Sequence, residues 1–74
     1  MSRVQEPRVN RAYYQAVDKM QVIGVQRNYM LGWIGGYIGN PKIEEQRATE
    51  AYEAGYEDGE TANTDNFTNW VENT

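Results

Sequence analysis

Tyr-Met-Leu-Gly-Trp-Ile-Gly-Gly, at residues 29–36, is followed 23 positions later by Tyr-Glu-Ala-Gly-Tyr-Glu-Asp-Gly, at residues 52–59. Both stretches read Tyr-x-x-Gly-aromatic-x-x-Gly. Residues three and four apart lie on one face of a helix, and a glycine there lets another backbone approach closely beside an aromatic ring. The repeat therefore predicts two helices packed tightly together. The residues expected at that contact are Gly32, Trp33, Gly36, Gly55 and Gly59.

An apolar stripe with alternating steps of four and three residues runs from Val9 to Tyr37, interrupted only by Arg27. This heptad spacing predicts one long helix over residues 8–38. Residues 21–25 place β-branched side chains around a glycine, so a strand is the alternative there. Residues 1–7 end in a proline and are expected to be disordered.

Gly39, Asn40 and Pro41 form a stop signal followed by a helix start. They predict a second helix over residues 41–58 that returns antiparallel to the first as a hairpin. A polar linker then leads to a short third helix over residues 64–72, whose apolar side chains are expected to pack back on the hairpin. The fold class expected is all-α, as one small domain over residues 1–74.

Composition limits the chemistry that this chain can perform. The 74 residues include no Cys and no His, so thiolate chemistry, the commonest general base and the commonest metal ligand are missing. We expect no enzyme, no cofactor and no metal site. No stretch resembles a signal peptide or reaches the roughly 20 apolar residues of a membrane span, so the expected location is the cytoplasm, with no membrane contact.

The charges are divided between the two halves of the chain. Residues 1–41 carry +3 and residues 42–74 carry −7, which together give the net charge of −4. The carboxylates of the second half fall mainly on one face of the second helix, where they either keep that face solvated or bind a partner by imitating a phosphate backbone. With a sequence pI near 4.6, the chain lacks the basic surface typical of nucleic-acid binding.

A protein partner is expected to contact this acidic face and the aromatic rings beside it. The predicted partner-binding residues are Glu45, Glu50, Glu53, Glu57, Asp58, Tyr52, Tyr56 and Trp70.

The repeated motif resembles a class of very short proteins, many from bacteriophage genomes, built as helical hairpins with Gly-Trp/Tyr-x-x-Gly on both arms. The matching residues are Gly32-Trp33-x-x-Gly36 and Ala51-Tyr52-x-x-Gly55-Tyr56-x-x-Gly59. Ribosome modulation factor is similar in this pattern. That family is basic and contacts ribosomal RNA, whereas residues 42–74 are acidic here, so only the hairpin is carried over.

The resemblance to phage proteins implies a small non-catalytic module that binds a host enzyme, such as RNA polymerase or a defence nuclease, and inhibits or modulates it. One alternative is a structural protein that self-associates through the heptad seam as a homo-oligomer. Another is a ribosome- or RNA-associated factor that uses a basic strip near the N-terminus, formed by Arg3, Arg8, Arg11 and Lys19 with Tyr13 and Tyr14.

Overall fold

A computed structural model describes residues 10–43 and 49–72. It contains three α-helices, α1 (Arg11–Ile23), α2 (Arg27–Ile38) and α3 (Glu50–Glu60), followed by a 3-10 turn over Phe67–Trp70. The prediction of an all-α fold is confirmed. Across the described ranges no strand forms, and residues 21–25 contribute only Val25, which pairs with Val71 as an isolated antiparallel bridge.

The single helix predicted over residues 8–38 is instead two helices separated at Gly24. Gly24 takes the left-handed conformation, with φ of +83°. The backbone N–H groups of Gly24 and Val25 donate to carbonyls in the last turn of α1, at 3.3 and 2.9 Å. This is the Schellman end, which glycine makes without a steric cost. The heptad stripe continues past the break, which is why the spacing alone does not reveal it.

Helices α2 and α3 run parallel, where the sequence predicts an antiparallel hairpin. A Cβ built on Gly32 would lie 2.1 Å from the carbonyl oxygen of Tyr52, and one on Gly36 would lie 2.1 Å from that of Tyr56. A higher residue number in α2 therefore meets a higher one in α3. Such close backbone approach is the packing that small residues four apart permit between helices.

The chain between the two helices explains the parallel direction. Beyond Gly39 it runs back along α3: the Tyr56 hydroxyl donates to the carbonyl of Asn40, and the Ile43 N–H donates to the Tyr52 hydroxyl at 3.1 Å. The helix predicted from residue 41 thus starts only at Glu50 and ends at Glu60; residues 44–48 lie outside the described ranges, as does the predicted tail 1–7. Thr49 caps α3 by accepting from the N–H of Tyr52.

The two motifs are related by a local pseudo-twofold, in which adding 23 to a residue number gives its equivalent. Gly32 meets Tyr52 and Tyr56, and the equivalent Gly55 meets Tyr29 and Trp33. The relation extends to hydrogen bonds at the helix ends. Trp33 donates to the carbonyl of Asn63 at 2.9 Å, as its equivalent Tyr56 donates to the carbonyl of Asn40. The sequence repeat is therefore a repeat in three dimensions.

One side of the α2–α3 pair, which we call the closed side, is covered by α1 and by the C-terminal turn. Met20 of α1 and Phe67 of the turn are almost completely buried, as are Tyr29 and Trp33 of α2. The Phe67 ring meets both α2 rings edge to face, at centroid distances of 6.1 and 5.9 Å. The third helix predicted over residues 64–72 is reduced to the 3-10 turn, and residues 70–72 pair with the Gly24 break.

Candidate functional site

The five residues predicted to pack the helices all lie buried in the α2–α3 contact. The carbons that side chains would need on Gly32, Gly36, Gly55 and Gly59 fall 2.0–2.1 Å from backbone oxygens of the opposite helix. Trp33 is buried beside them and stacks on Tyr37, with 5.0 Å between ring centroids. This contact builds the scaffold and leaves no room for a ligand.

Three carboxylates of the predicted acidic face, Glu50, Glu53 and Glu57, form an exposed row along α3 together with Glu60, which was not predicted. We call these four residues the acidic row. Their spacing of three, four and three residues places them on one face of the helix, over roughly 15 Å of its length. Within the described chain, one ion pair involves the row, between Lys42 Nζ and Glu53 at 3.1 Å. Glu45, also predicted to belong to this face, lies outside the described residues.

Asp58, next to Glu57 in sequence, is partly buried and bonds to other elements of the fold. Its carboxylate accepts a hydrogen bond from the Tyr29 hydroxyl at 2.5 Å and two from the Asn66 side chain at 3.2 and 3.3 Å. These three side chains tie α2, α3 and the C-terminal turn together. A carboxylate that accepts three hydrogen bonds from two side chains of its own chain stabilises the fold.

The aromatic residues predicted to bind a partner are likewise used within the chain. Tyr52 and Tyr56 are buried, with their hydroxyls bonded to residues 40–43. Trp70 is partly buried and stacks on Tyr29 at a centroid distance of 5.6 Å. Tyr52 and Tyr56 are not free for a partner because residues 40–43 return along α3 and bind their hydroxyls.

An apolar groove that the sequence analysis did not identify lies on the other side of the α2–α3 pair, which we call the open side. It has a volume of about 270 Å³ and is lined by Asn28, Leu31, Gly35, Asn40, Ile43 and Tyr52, among others. Leu31 and Ile43 are 49% and 46% exposed. The one available signal was that Leu31 and Ile38 extend the apolar stripe around α2, beyond what a single seam needs.

Neither a metal site nor a membrane-spanning helix is seen in the described part of the chain. Residues 10–43 and 49–72 contain no group of three or more acidic, His or Cys side chains placed to hold a metal ion. None of the helices in these ranges has the length and apolar character to cross a membrane.

Comparisons with known protein families, with curated proteins and with solved structures found no match to this chain. The resemblance to phage hairpin proteins therefore stays a prediction.

The phenol of Tyr29 should make the fold less stable as the pH rises into the alkaline range. Burial, the hydrogen bond to Asp58 and the negative charge of that carboxylate all disfavour the tyrosinate and raise the pKa of Tyr29 well above its usual value. Above about pH 10 the unfolded chain loses this proton while the folded chain keeps it. The contribution of Tyr29 is therefore complete below pH 10 and is lost as the pH rises, at about 1.4 kcal/mol per pH unit.

Urea unfolding of the wild type and of Tyr29→Phe at pH 8 and pH 11 measures this effect. The variant has no hydroxyl to ionise, so the stability advantage of the wild type at pH 8 should shrink by about 1 kcal/mol at pH 11. An advantage that is the same at both pH values would contradict the assignment.

Proposed function

We propose that this protein is a small non-catalytic module that binds another protein through the acidic row of α3. The observation that carries the proposal is the row itself: four exposed carboxylates on one face of a helix, with Lys42 on Glu53 as the one ion pair seen in the described chain. A set of like charges held on a rigid helix favours association with a basic surface and speeds the encounter.

The arrangement of the other polar groups supports a binding role over a catalytic one. Tyr29 and Asn66 both donate to Asp58, while Trp33 and Tyr56 donate to backbone carbonyls. A catalytic site would need polar groups directed into a cleft. These side chains are directed into the fold, where they hold its elements together.

A basic nucleic-acid groove on a host enzyme, such as RNA polymerase or a defence nuclease, is the partner surface that the acidic row fits best. Such grooves bind regularly spaced phosphates, and carboxylates repeated along a helix offer comparable charges. Occupying the groove would inhibit or modulate the enzyme without any chemistry by this protein.

Charge reversal at the C-terminal end of the row tests the proposal. The double variant Glu57→Lys/Glu60→Lys leaves the Lys42–Glu53 pair in place. It also puts cations near the end of α3 where the helix dipole favours them, so folding should be preserved. In a pull-down of the tagged protein from bacterial lysate, partners retained by the wild type should be lost by this variant.

A matched control separates the position of the charges from their sum. Asp18→Lys/Glu72→Lys changes the net charge equally, at two exposed residues outside the acidic row, and should retain the partner. Equal loss of the partner with both variants would show that the net charge of the protein, and not the position of the acidic row, controls binding. Full retention by the Glu57→Lys/Glu60→Lys variant would refute the proposal.

Self-association through the heptad seam is one of the two alternatives that the sequence suggests. Ala16 and Met20, which lie on that seam, are buried within the chain's own core. These two residues are therefore not free to contact a second copy, which supports the acidic row as the binding surface.

A further inference from the structure

The pseudo-twofold makes the open groove the counterpart of a site that is filled on the closed side. Adding 23 converts Asn28 and Leu31 of the groove into Ala51 and Ala54, which belong to or pack against the same core cluster as Phe67. Subtracting 23 converts Tyr52 of the groove into Tyr29, whose ring contacts both Phe67 and Trp70. The equivalent position on the closed side therefore receives two aromatic rings of the C-terminal turn.

The closed side and the groove differ at one pair of equivalent positions, Asp58 on α3 and Gly35 on α2. On the closed side Asp58 holds Asn66 of the C-terminal turn through two hydrogen bonds. Its equivalent in the groove is Gly35, where even an added Cβ would meet only the Tyr56 ring, at 3.7 Å. The groove thus keeps space for an apolar side chain where the closed side carries a carboxylate.

The surroundings of the groove are acidic where those of the closed side are apolar. Met30 and Tyr37 of α2 pack in the core, and the Tyr37 ring contacts Tyr13 of α1 at 5.3 Å. Their equivalents on α3 are Glu53 and Glu60. Lys42, which adjoins Ile43 of the groove, forms an ion pair with Glu53 at 3.1 Å, and Glu53 directly follows Tyr52 of the groove. Glu53 therefore places the acidic row beside the groove.

We propose that the groove lined by Leu31, Gly35, Ile43 and Tyr52 binds a short partner segment that carries an aromatic anchor flanked by basic residues. The aromatic anchor follows from the equivalent site, which Phe67 and Trp70 fill, and the basic flanks follow from the carboxylates beside the groove. This inference rests on the proposed function and deepens it: the acidic row attracts the partner, and the groove selects which segment docks.

A peptide derived from the chain's own C-terminal turn provides the probe. Residues 64–72, synthesised with blocked ends and carrying Asp65→Lys and Glu72→Lys, keep the Phe67 and Trp70 side chains and replace both carboxylates by amines. Titrated into the labelled full-length protein, this peptide should shift the amide NMR signals of Leu31, Gly35 and Tyr52. The unmodified peptide serves as the charge control and should bind at least tenfold more weakly.

Two variants identify the groove as the binding site. Leu31→Ser removes an exposed apolar side chain from the groove and should weaken binding of the peptide about tenfold. Val22→Ser makes the same kind of change at a side chain of α1 that is 75% exposed and lies outside the groove, and it should change binding less than twofold. Ile43→Ser, which lies outside every helix, repeats the test if Leu31→Ser fails to fold.

Other outcomes would overturn the inference. Absence of shifts at millimolar peptide would show that the groove does not bind such a segment. Shifts at Ala51 and Ala54 would show that the peptide displaces the protein's own turn. Shifts that follow protein concentration without peptide would make the occupant a second copy of this chain.

The pull-down distinguishes this inference from the proposed function. A partner that is lost with Glu57→Lys/Glu60→Lys but fully retained by Leu31→Ser would uphold the acidic row and refute the groove. If the wild type captures no partner, the proposed function fails, while the peptide titration still decides whether the groove binds its ligand.

Discussion

Replacing Gly55 by alanine should destabilise the protein by about 3 kcal/mol or more, a large part of the total stability of a domain this small. The new Cβ would lie 2.1 Å from the carbonyl oxygen of Tyr29 and 2.9 Å from the nitrogen of Trp33. Both are backbone atoms of α2, which cannot move aside as the tip of a side chain could. The two helices would have to separate, and the buried rings around them would lose their contacts.

Gly35→Ala is the matched control for this variant, because it introduces the same methyl group into the partner helix. A Cβ on Gly35 would meet only the Tyr56 ring, at ordinary contact distances of 3.7 and 3.8 Å. The higher helix propensity of alanine should then stabilise the protein by about 1 kcal/mol. Urea unfolding followed by circular dichroism measures both variants, and a Gly55→Ala protein as stable as the wild type would contradict the close packing of α2 on α3.

Phe67→Ala should cost about 3–5 kcal/mol, the range for removing a fully buried aromatic side chain. The ring is 1% exposed and lies against Tyr29 and Trp33, so its removal leaves a cavity at the centre of the core. The C-terminal turn would then lose one of the contacts that hold it over α2.

Thr68→Ala, at the exposed neighbour of Phe67 in the same turn, separates loss of the ring from a change in the turn itself. It should alter the free energy of unfolding by less than about 0.5 kcal/mol. Thermal and urea unfolding compare the two variants. Equal, small effects would show that the turn contributes little to the core.

The close contact between two helices could be predicted from Tyr-x-x-Gly-aromatic-x-x-Gly, because glycines on one helical face have few other uses. Their relative direction could not. A face of this kind accepts its partner in either sense, and the choice depends on where residues 40–43 run. Gly39, Asn40 and Pro41 give the same signal for a tight hairpin as for a chain that returns along the helix.

The break at Gly24 has a similar origin. Steps of four and three residues continue through it, and, besides the local bonds to α1, backbone bonds from far along the chain stabilise it. Gln26 donates to the carbonyl of Trp70, and Glu72 donates to that of Gly24. Local spacing contains no information about such partners.

The candidate site could be predicted only in part. The exposure of Glu50, Glu53 and Glu57 follows from their positions on a helix with an apolar opposite face. The burial of Tyr52 and Tyr56 depends on the path of residues 40–43, as does the groove beside Ile43. Asp58 is acidic and helical like the row, but its position faces Tyr29.

Because the contact faces of α2 and α3 are alike, α2 has two possible partners: α3 of its own chain and α2 of another molecule. Because α2 presents to α3 the same Tyr-x-x-Gly surface that α3 presents to α2, an α2 helix can also pair with α2 of another molecule. The connection between Gly39 and Thr49 decides between these pairings, since it keeps α3 at an effective concentration on the order of millimolar. At ordinary concentrations we therefore expect α2 to pair with α3 of the same chain, and we expect a fragment that ends before α3 to self-associate, because it lacks this tethered partner.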